Sequence, residues 1–215
     1  MERVFHKIGK MINKEYLIIE PFTREPWKAL TFKEVKKLSN NKSDNYVHKT
    51  LKNLVKEEIL KEKKIGNNII YSLSKNIFAL NTFGFIAEFK TNQAKYLPHQ
   101  NIQKLLNKIK TPFYSFVITG SYARNKQKEN SDVDIVIICD NKQPPNAILS
   151  QIKLESEMMI PECHPYVFTQ TEFYQMLVNK EQNYGKEIAK NNLIVTGGKE
   201  YYTILLEAIE HGFHG

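Results

Sequence analysis

The sequence predicts an α+β protein built from two modules that differ in charge. Three observations support this prediction. Apolar residues recur at helical spacing along most of the chain. Two short runs rich in β-formers flank a Gly-Asn turn in the first half, which is typical of a hairpin. In the second half, further apolar runs of strand length alternate with helices, so we expect a small mixed sheet flanked by helices there.

The charge of the chain is concentrated in its first half. The 215 residues carry 31 Lys and Arg against 23 Asp and Glu, a formal net charge of +8. Residues 1–97 hold 19 of these basic and 10 of these acidic residues, and residues 98–215 hold 12 and 13. A basic first module indicates a polyanionic partner or, as the simpler interpretation, a lysine-rich solvated surface.

Composition also excludes several classes of protein. Hydrophobic residues make up 41% of the chain, enough for packed cores, so a disordered chain is excluded. No apolar run approaches the roughly 20 residues of a membrane helix, and the first residues lack the apolar stretch of a signal peptide. Cys139 and Cys163 are the two cysteines, too few for a disulfide framework. We therefore expect a cytoplasmic protein with no membrane partner.

Residues 15–74 read as three short helices followed by a hairpin. Thr31 and Glu34 form a capping box at the start of the second helix, whose apolar residues recur at helical spacing. Pro21 and Pro26 are expected to disturb the end of the first helix. The predicted elements are a helix from Tyr16, helices over 32–38 and 44–59, and strands over 60–65 and 69–73 around a turn at Gly66.

One face of the third helix is basic and rich in hydrogen-bonding groups. The side chains of this face, at i, i+4, i+7 and i+11, are those of Asn45, Lys49, Lys52 and Lys56. Such a face suits a helix in the major groove of DNA. This order of elements, over about residues 13–76, resembles a winged helix-turn-helix domain. The resemblance implies double-stranded DNA as a partner, with dimerisation or protein docking as the alternative role. The DNA-binding residues that it implies are Asn45, Lys49 and Lys52 near base edges, and Lys56, Lys63 and Lys64 on phosphates.

Residues 77–98 form an apolar connector in this scheme. Their phenylalanines, leucines and isoleucines predict one helix or a pair of helices. The segment is also a candidate interface for a homodimer. We place the winged helix-turn-helix module at 1–76, this connector at 77–98, and the second module at 99–215, with the boundary near Pro98.

The second module begins with a helix and a strand that lead into a polar turn. The helix is expected over 101–110 with Asn101 as its cap, and the strand over 113–119. Later elements are a helix over 147–157, one opened by a capping box at Thr169 and Glu172, a strand over 193–196 and a last helix over 200–211.

Two short motifs in this module have chemical meaning. Gly120 and Ser121 lie where the strand turns into a predicted helix, and such a turn offers backbone N–H groups and a hydroxyl to phosphate oxygens. Asp132 and Asp134 are two residues apart at the start of the next strand, so their carboxylates share a face. A divalent cation such as Mg²⁺ would offset their repulsion. A phosphate cradle beside a metal-binding pair is typical of phosphoryl or nucleotidyl transfer.

The two motifs together resemble a known signature. GSYAR at 120–124, followed by SDVD at 131–134, is similar to the signature of the DNA polymerase beta-like nucleotidyltransferase superfamily. The similarity is greatest to the kanamycin nucleotidyltransferase-like and minimal nucleotidyltransferase group. Asn125 departs from the Gly that this group often has there, although Asn also tolerates the left-handed conformation.

The resemblance implies transfer of an NMP group from an NTP to an acceptor hydroxyl, with Mg²⁺ as cofactor. The acceptor stays open between a protein, an RNA and a small molecule. The alternative is a transcriptional regulator or antitoxin-like protein that binds nucleotide without turnover.

The resemblance also implies roles for individual residues. The family expects a third acid on a neighbouring strand, and Glu162 is the only acid within 158–168. It would complete the metal site or help to activate the acceptor. Arg124 would either neutralise phosphate charge or pin the loop. The implied nucleotide-binding residues are Gly120, Ser121, Arg124 and Ser131, and the implied catalytic and metal-binding residues are Asp132, Asp134 and Glu162.

Overall fold

The computed structural model describes residues 15–215, which form ten α-helices and two sheets and so confirm the α+β class. Residues 1–14, assigned above to the first module, lie outside the described residues. The elements of the first module are α1 (Tyr16–Arg24), β1 (Leu30–Thr31), α2 (Phe32–Leu38), α3 (Asp44–Lys56), β2 (Leu60–Ile65) and β3 (Asn68–Leu73).

The three strands form an antiparallel sheet in the order β1-β3-β2. The predicted hairpin is confirmed, with Leu60 opposite Leu73 and Ile65 opposite Asn68. The two-residue strand β1, which pairs Leu30 with Tyr71, was not expected from the sequence. It is too short to show an alternating pattern, and its pairing with β3 depends on residues about 40 positions away.

The helix ends follow local capping chemistry. The capping box of α2 is confirmed, since Glu34 N–H donates to Thr31 Oγ1 at 3.4 Å and Thr31 N–H donates to Glu34 Oε2 at 2.7 Å. Helix α3 ends at Lys56 rather than at 59 as predicted. The reason is that Glu58 adopts a left-handed φ of 57° and the N–H of Ile59 bonds back to the carbonyl of Leu54.

A single helix, α4 (Ile77–Gln93), follows the first sheet. Asn76 caps it by accepting from Ala79 N–H at 2.9 Å. The helix packs on α1 through an edge-to-face contact of Phe89 with Tyr16, at 5.6 Å between ring centroids. One hydrophobic core cluster contains residues from α1 to β3, from α4 and from the second module. The connector is therefore part of the core.

The second module contains α5 (His99–Lys108), β4 (Tyr114–Ile118), α6 (Gly120–Ala123), β5 (Val133–Cys139), α7 (Pro145–Glu157), β6 (Cys163–Thr169), α8 (Gln170–Val178), α9 (Tyr184–Lys190), β7 (Leu193–Thr196) and α10 (Gly198–Glu210). The strand order is β6-β5-β4-β7. Strands β5 and β6 are parallel and the other pairs are antiparallel, so the predicted mixed sheet is confirmed. Helix α5 begins before the expected cap Asn101, directly after Pro98.

Strand β5 lies in the centre of this module and is buried on both faces. Val136 and Ile138 belong to the core cluster shared with the first module, whereas Ile135 and Ile137 belong to a second cluster beneath α5 and α7. This alternation is what a strand of period two produces between two apolar layers. It fixes which face of β5 each carboxylate at its start must take.

Helices α4 and α10 contact each other through their backbones. A Cβ added to Gly84 would lie 2.5 Å from Lys199 N, and one added to Gly198 would lie 2.6 Å from Gly84 Cα. The carboxylate of Glu88, one turn further along α4, accepts from the Gly198 N–H at 2.7 Å and so caps α10. Between residues 15 and 215, every helix is too short or too polar to cross a bilayer.

Candidate functional site

The turn after β4 requires glycine. Gly120 has a left-handed φ of 67°, and a Cβ added there would overlap Oδ2 of Asp134 and lie 3.0 Å from its Cγ. The preceding Thr119 fixes the turn on two sides. Its N–H donates to Asp134 O at 3.0 Å, and its Oγ1 donates to Asn191 O at 2.8 Å. The turn is therefore held directly against the start of β5.

The helix that follows this turn is a single turn, α6, of four residues. The sequence predicts a helix N-terminus for phosphate here, but so short a helix has a weak dipole. A backbone hydrogen bond closes the segment that follows, since Lys126 N–H donates to Ser121 O at 2.9 Å. Asn125 adopts the left-handed conformation with φ 51°, as the sequence led us to expect.

Three side chains that can ligate a metal gather at the start of β5 and β6. Ligand atoms of Asp132, Glu162 and His164 all lie within 4.8 Å of one another. His164 Nε2 is 3.3 Å from Glu162 Oε1, and His164 Nδ1 is 3.8 Å from Asp132 Oδ2. All three side chains are 43–48% exposed, so water or a ligand can reach them.

The parallel pairing of β5 with β6 produces this cluster. Val133 lies opposite Cys163 and Asp134 lies opposite His164. The N–H of Val133 also donates to Glu162 O at 2.9 Å, so the pairing with β5 includes Glu162, the residue before β6. Since side chains alternate along each strand, the carboxylates and the imidazole lie on the same face of the sheet.

Asp134 is placed differently from Asp132. It lies outside the group of three, and its carboxylate faces the turn at Gly120. Burial raises the pKa of Asp134 above its usual value, and the nearby charge of Asp132 adds to this, whereas His164 and Arg124 act in the opposite direction. The two aspartates of the motif thus have different surroundings.

The structure adds two residues to those that the sequence nominated. His164 is two positions after Glu162, a spacing that already suggests a common face in an extended segment, although the sequence alone did not nominate it as a ligand. Tyr184, at the start of α9, is brought to the site by the tertiary fold. Its ring packs edge-to-face on that of Tyr166, with 5.1 Å between the ring centroids. Burial, together with the negative charge of Asp134, raises the pKa of Tyr184. No local pattern indicates that placement.

The basic residues nominated for DNA binding lie on the surface of the first module. The side chains are on α3 and on β2, which contacts α3, and all are exposed. Among residues 15–215, no ion pair involves the five lysines of this set, which are Lys49, Lys52, Lys56, Lys63 and Lys64. These exposed residues are Asn45, Lys49, Lys52, Lys56, Lys63 and Lys64.

Comparison with known proteins gives a family match for part of the chain. Among solved structures, a "Crystal structure of the toxin-antitoxin with AMP-PNP" is similar at a TM-score of 0.38 and 15% identity, over 53% of this chain and 86% of that chain. No curated protein matches the chain. Residues 102–194, which include both motifs and the three-residue cluster, match the family model described as "Nucleotidyltransferase domain". The C-terminal half of the chain therefore contains a nucleotidyltransferase domain.

Proposed function

We propose that this domain transfers an NMP group from an NTP to an acceptor hydroxyl with the help of a divalent metal ion. The observation that carries the proposal is the position of the Gly120 turn directly against the start of β5, beside the half-exposed cluster of Asp132, Glu162 and His164. A phosphate-binding turn and oxygen ligands for a metal are the two parts that such a transfer needs.

The donor set fits a divalent cation. Two carboxylates and an imidazole lie close enough to ligate one ion, and their exposure leaves positions for phosphate oxygens. A bound ion would supply positive charge to stabilise the phosphate oxygens in the transition state. Asp132 and Glu162 would hold the ion in this scheme. Asp134, next to the turn, orients the phosphate end of the nucleotide or completes the ion's ligands.

The reaction follows from these positions. The acceptor oxygen attacks the α-phosphorus, the bond from that phosphorus to the bridging oxygen breaks, and pyrophosphate leaves. The acceptor proton passes to a carboxylate, for which half-exposed Glu162 is our choice. The products are the NMP-modified acceptor, pyrophosphate and the acceptor's proton, which the carboxylate takes up and then releases to water.

Residues of the turn and its loop bind the triphosphate in this proposal. Gly120 and Ser121 present backbone and hydroxyl groups, and exposed Arg124 lies close enough to Asp134 to influence its pKa. Arg124 can therefore neutralise phosphate charge at the same place. Ser131 orients the loop, since its Oγ accepts from Lys128 N–H at 2.8 Å.

The first module serves as a winged helix that binds double-stranded DNA in this proposal. Support comes from the order of helices and strands, from the sheet order β1-β3-β2, and from the exposed lysines of α3 and β2. Phosphate contacts by Lys56, Lys63 and Lys64 would make binding strongly dependent on salt.

Two measurements test the catalytic proposal. Titration calorimetry should show metal-dependent NTP binding by the wild type and its loss in the double variant Asp132→Ala with Asp134→Ala. The control variant Glu157→Gln removes an exposed carboxylate at the end of α7 and should bind normally. Unchanged NTP affinity in the double variant would refute the proposed site.

The second measurement separates an enzyme from a regulator. The protein is incubated with NTPs labelled at the α-phosphate and with cell extract. Label that moves to a protein, an RNA or a small molecule supports transfer and identifies the acceptor class. Tight NTP binding without any transferred label would instead favour a nucleotide-binding regulator.

A further inference from the structure

His164 is an unusual neighbour for two metal-binding carboxylates if the ion is Mg²⁺. Mg²⁺ is a hard cation that takes oxygen ligands in a strict octahedral arrangement. An imidazole nitrogen suits first-row transition-metal ions much better, and carboxylates remain acceptable to those ions. The chemistry of the donor set therefore discriminates between two classes of metal.

The backbone register places His164 in this cluster. The β5–β6 register places His164 beside Asp134 and keeps Glu162, two residues earlier, on the same face. Its Nε2 is 3.3 Å from Glu162 Oε1 and its Nδ1 is 3.8 Å from Asp132 Oδ2, so the ring lies between the two carboxylates. One ligand atom of each of the three side chains lies within 4.8 Å of the others, which is close enough for all three to share one ion.

Exposure of the cluster is also compatible with a ligating role. The His164 side chain is 43% exposed and is therefore not a packed core residue. A rotation of the ring can bring either nitrogen towards the ion, while the open side accepts water or phosphate oxygens.

We propose that the cluster of Asp132, Glu162 and His164 selects a first-row transition-metal dication over Mg²⁺, with His164 as a direct nitrogen ligand. This inference rests on the proposed function, because it names the ion of the same site. It departs from the expectation of Mg²⁺ that the motif alone supports.

Mn²⁺ is the probe for this proposal because it is paramagnetic and accepts both oxygen and nitrogen ligands. Pulsed electron paramagnetic resonance of the 215-residue chain with bound Mn²⁺ should show coupling to a coordinated ¹⁴N nucleus. The coupling should disappear in His164→Ala and in His164→Asn, and persist in His214→Ala, which removes an exposed histidine elsewhere. The asparagine variant serves if the alanine variant does not fold.

Equilibrium binding gives a second readout. Loss of a group that merely supports a metal ligand weakens binding by about 10–100-fold, so loss of a direct ligand should weaken Mn²⁺ at least about tenfold. Mg²⁺ binding should change less than about threefold, because Mg²⁺ makes little use of the nitrogen. Absence of saturable Mn²⁺ binding, absence of the nitrogen coupling, or equal weakening of both ions would overturn the proposal.

Failure of the proposed function gives a different result. If the nitrogen coupling is present but no label is ever transferred from NTP, the metal assignment holds and the catalytic proposal is wrong. If Mg²⁺ supports transfer and Mn²⁺ shows no nitrogen coupling, the catalytic proposal holds and the role of His164 is wrong.

Discussion

Gly120→Ala tests the close contact between the turn and Asp134. The new methyl group lowers the free energy of unfolding in two ways. The left-handed φ of 67° costs a non-glycine residue about 1–2 kcal/mol. In addition, the Cβ would overlap Asp134 Oδ2 and lie 3.0 Å from Cγ, so the carboxylate must move, and overpacking of this kind costs about 1–3 kcal/mol. We expect a total loss of about 2–5 kcal/mol in the free energy of unfolding.

Gly66 provides a matched control for the backbone term. It has a similar φ of 57°, and a Cβ added there would meet no atom within 4 Å. Gly66→Ala should therefore cost only the left-handed strain, about 1–2 kcal/mol. The difference between the two variants isolates the collision with Asp134.

A double-mutant cycle then identifies the colliding group. In the Asp134→Ala background the carboxylate is absent, and the Cβ at position 120 would meet the Cβ at position 134 at an ordinary 3.4 Å. Gly120→Ala should cost no more there than Gly66→Ala does in the wild type, giving an interaction of about 1–3 kcal/mol. Urea titrations followed by far-UV circular dichroism measure each value. Equal losses for Gly120→Ala and Gly66→Ala in the wild type would refute the close contact.

Two further predictions concern the first module. Lys56→Ala with Lys63→Ala should weaken duplex binding and lower the slope of log affinity against log salt by about 2, as measured by gel retardation; an unchanged slope would contradict phosphate contact. Glu20→Gln should cost about 1–2 kcal/mol at pH 7, because the buried carboxylate accepts hydrogen bonds from Arg24 and Lys90. Burial tends to raise the pKa of Glu20, but these hydrogen bonds lower it below 4.5. The stabilisation by the Glu20 carboxylate is present above the pKa of Glu20 in the unfolded chain, 4.5, and is lost as the pH falls from there through the lower pKa of the folded state. The difference in free energy of unfolding between Glu20→Gln and the wild type should therefore be smaller in urea titrations at pH 3 than at pH 7. The same difference in free energy of unfolding at pH 3 and pH 7 would contradict a stabilising interaction of the Glu20 carboxylate with Arg24 and Lys90.

Local chemistry made part of this fold predictable. Helix α2 has the bounds 32–38 that its capping box and apolar spacing predict. Strands β2 and β3 pair around the turn at Gly66 that the sequence indicates. The motifs at 120–124 and 131–134 both lie within residues 102–194, which match the nucleotidyltransferase family model. Long-range pairing was less accessible. Strand β1, the approach of Tyr184 to Asp134, and the core shared by both modules all depend on contacts between distant residues.

The site shows the same division. Glu162 was nominated as an acid on a neighbouring strand, and the β5–β6 register does bring it to Asp132. The different surroundings of Asp132 and Asp134 could not be read from their spacing. Period two gives both side chains the same face, but only the tertiary fold places the Gly120 turn against one of them.

The glycine contact between α4 and α10 limits how such a protein can be recombined during evolution. Gly84 lies in the connector and Gly198 begins the last helix, so each half of the chain supplies one side of a crossing that admits no methyl group. A different N-terminal module joined near Pro98 would have to bring its own small residue at that point. A shuffled module lacking that residue would force the helices apart and remove the cap that Glu88 places on α10. The two halves are therefore expected to be inherited as a pair.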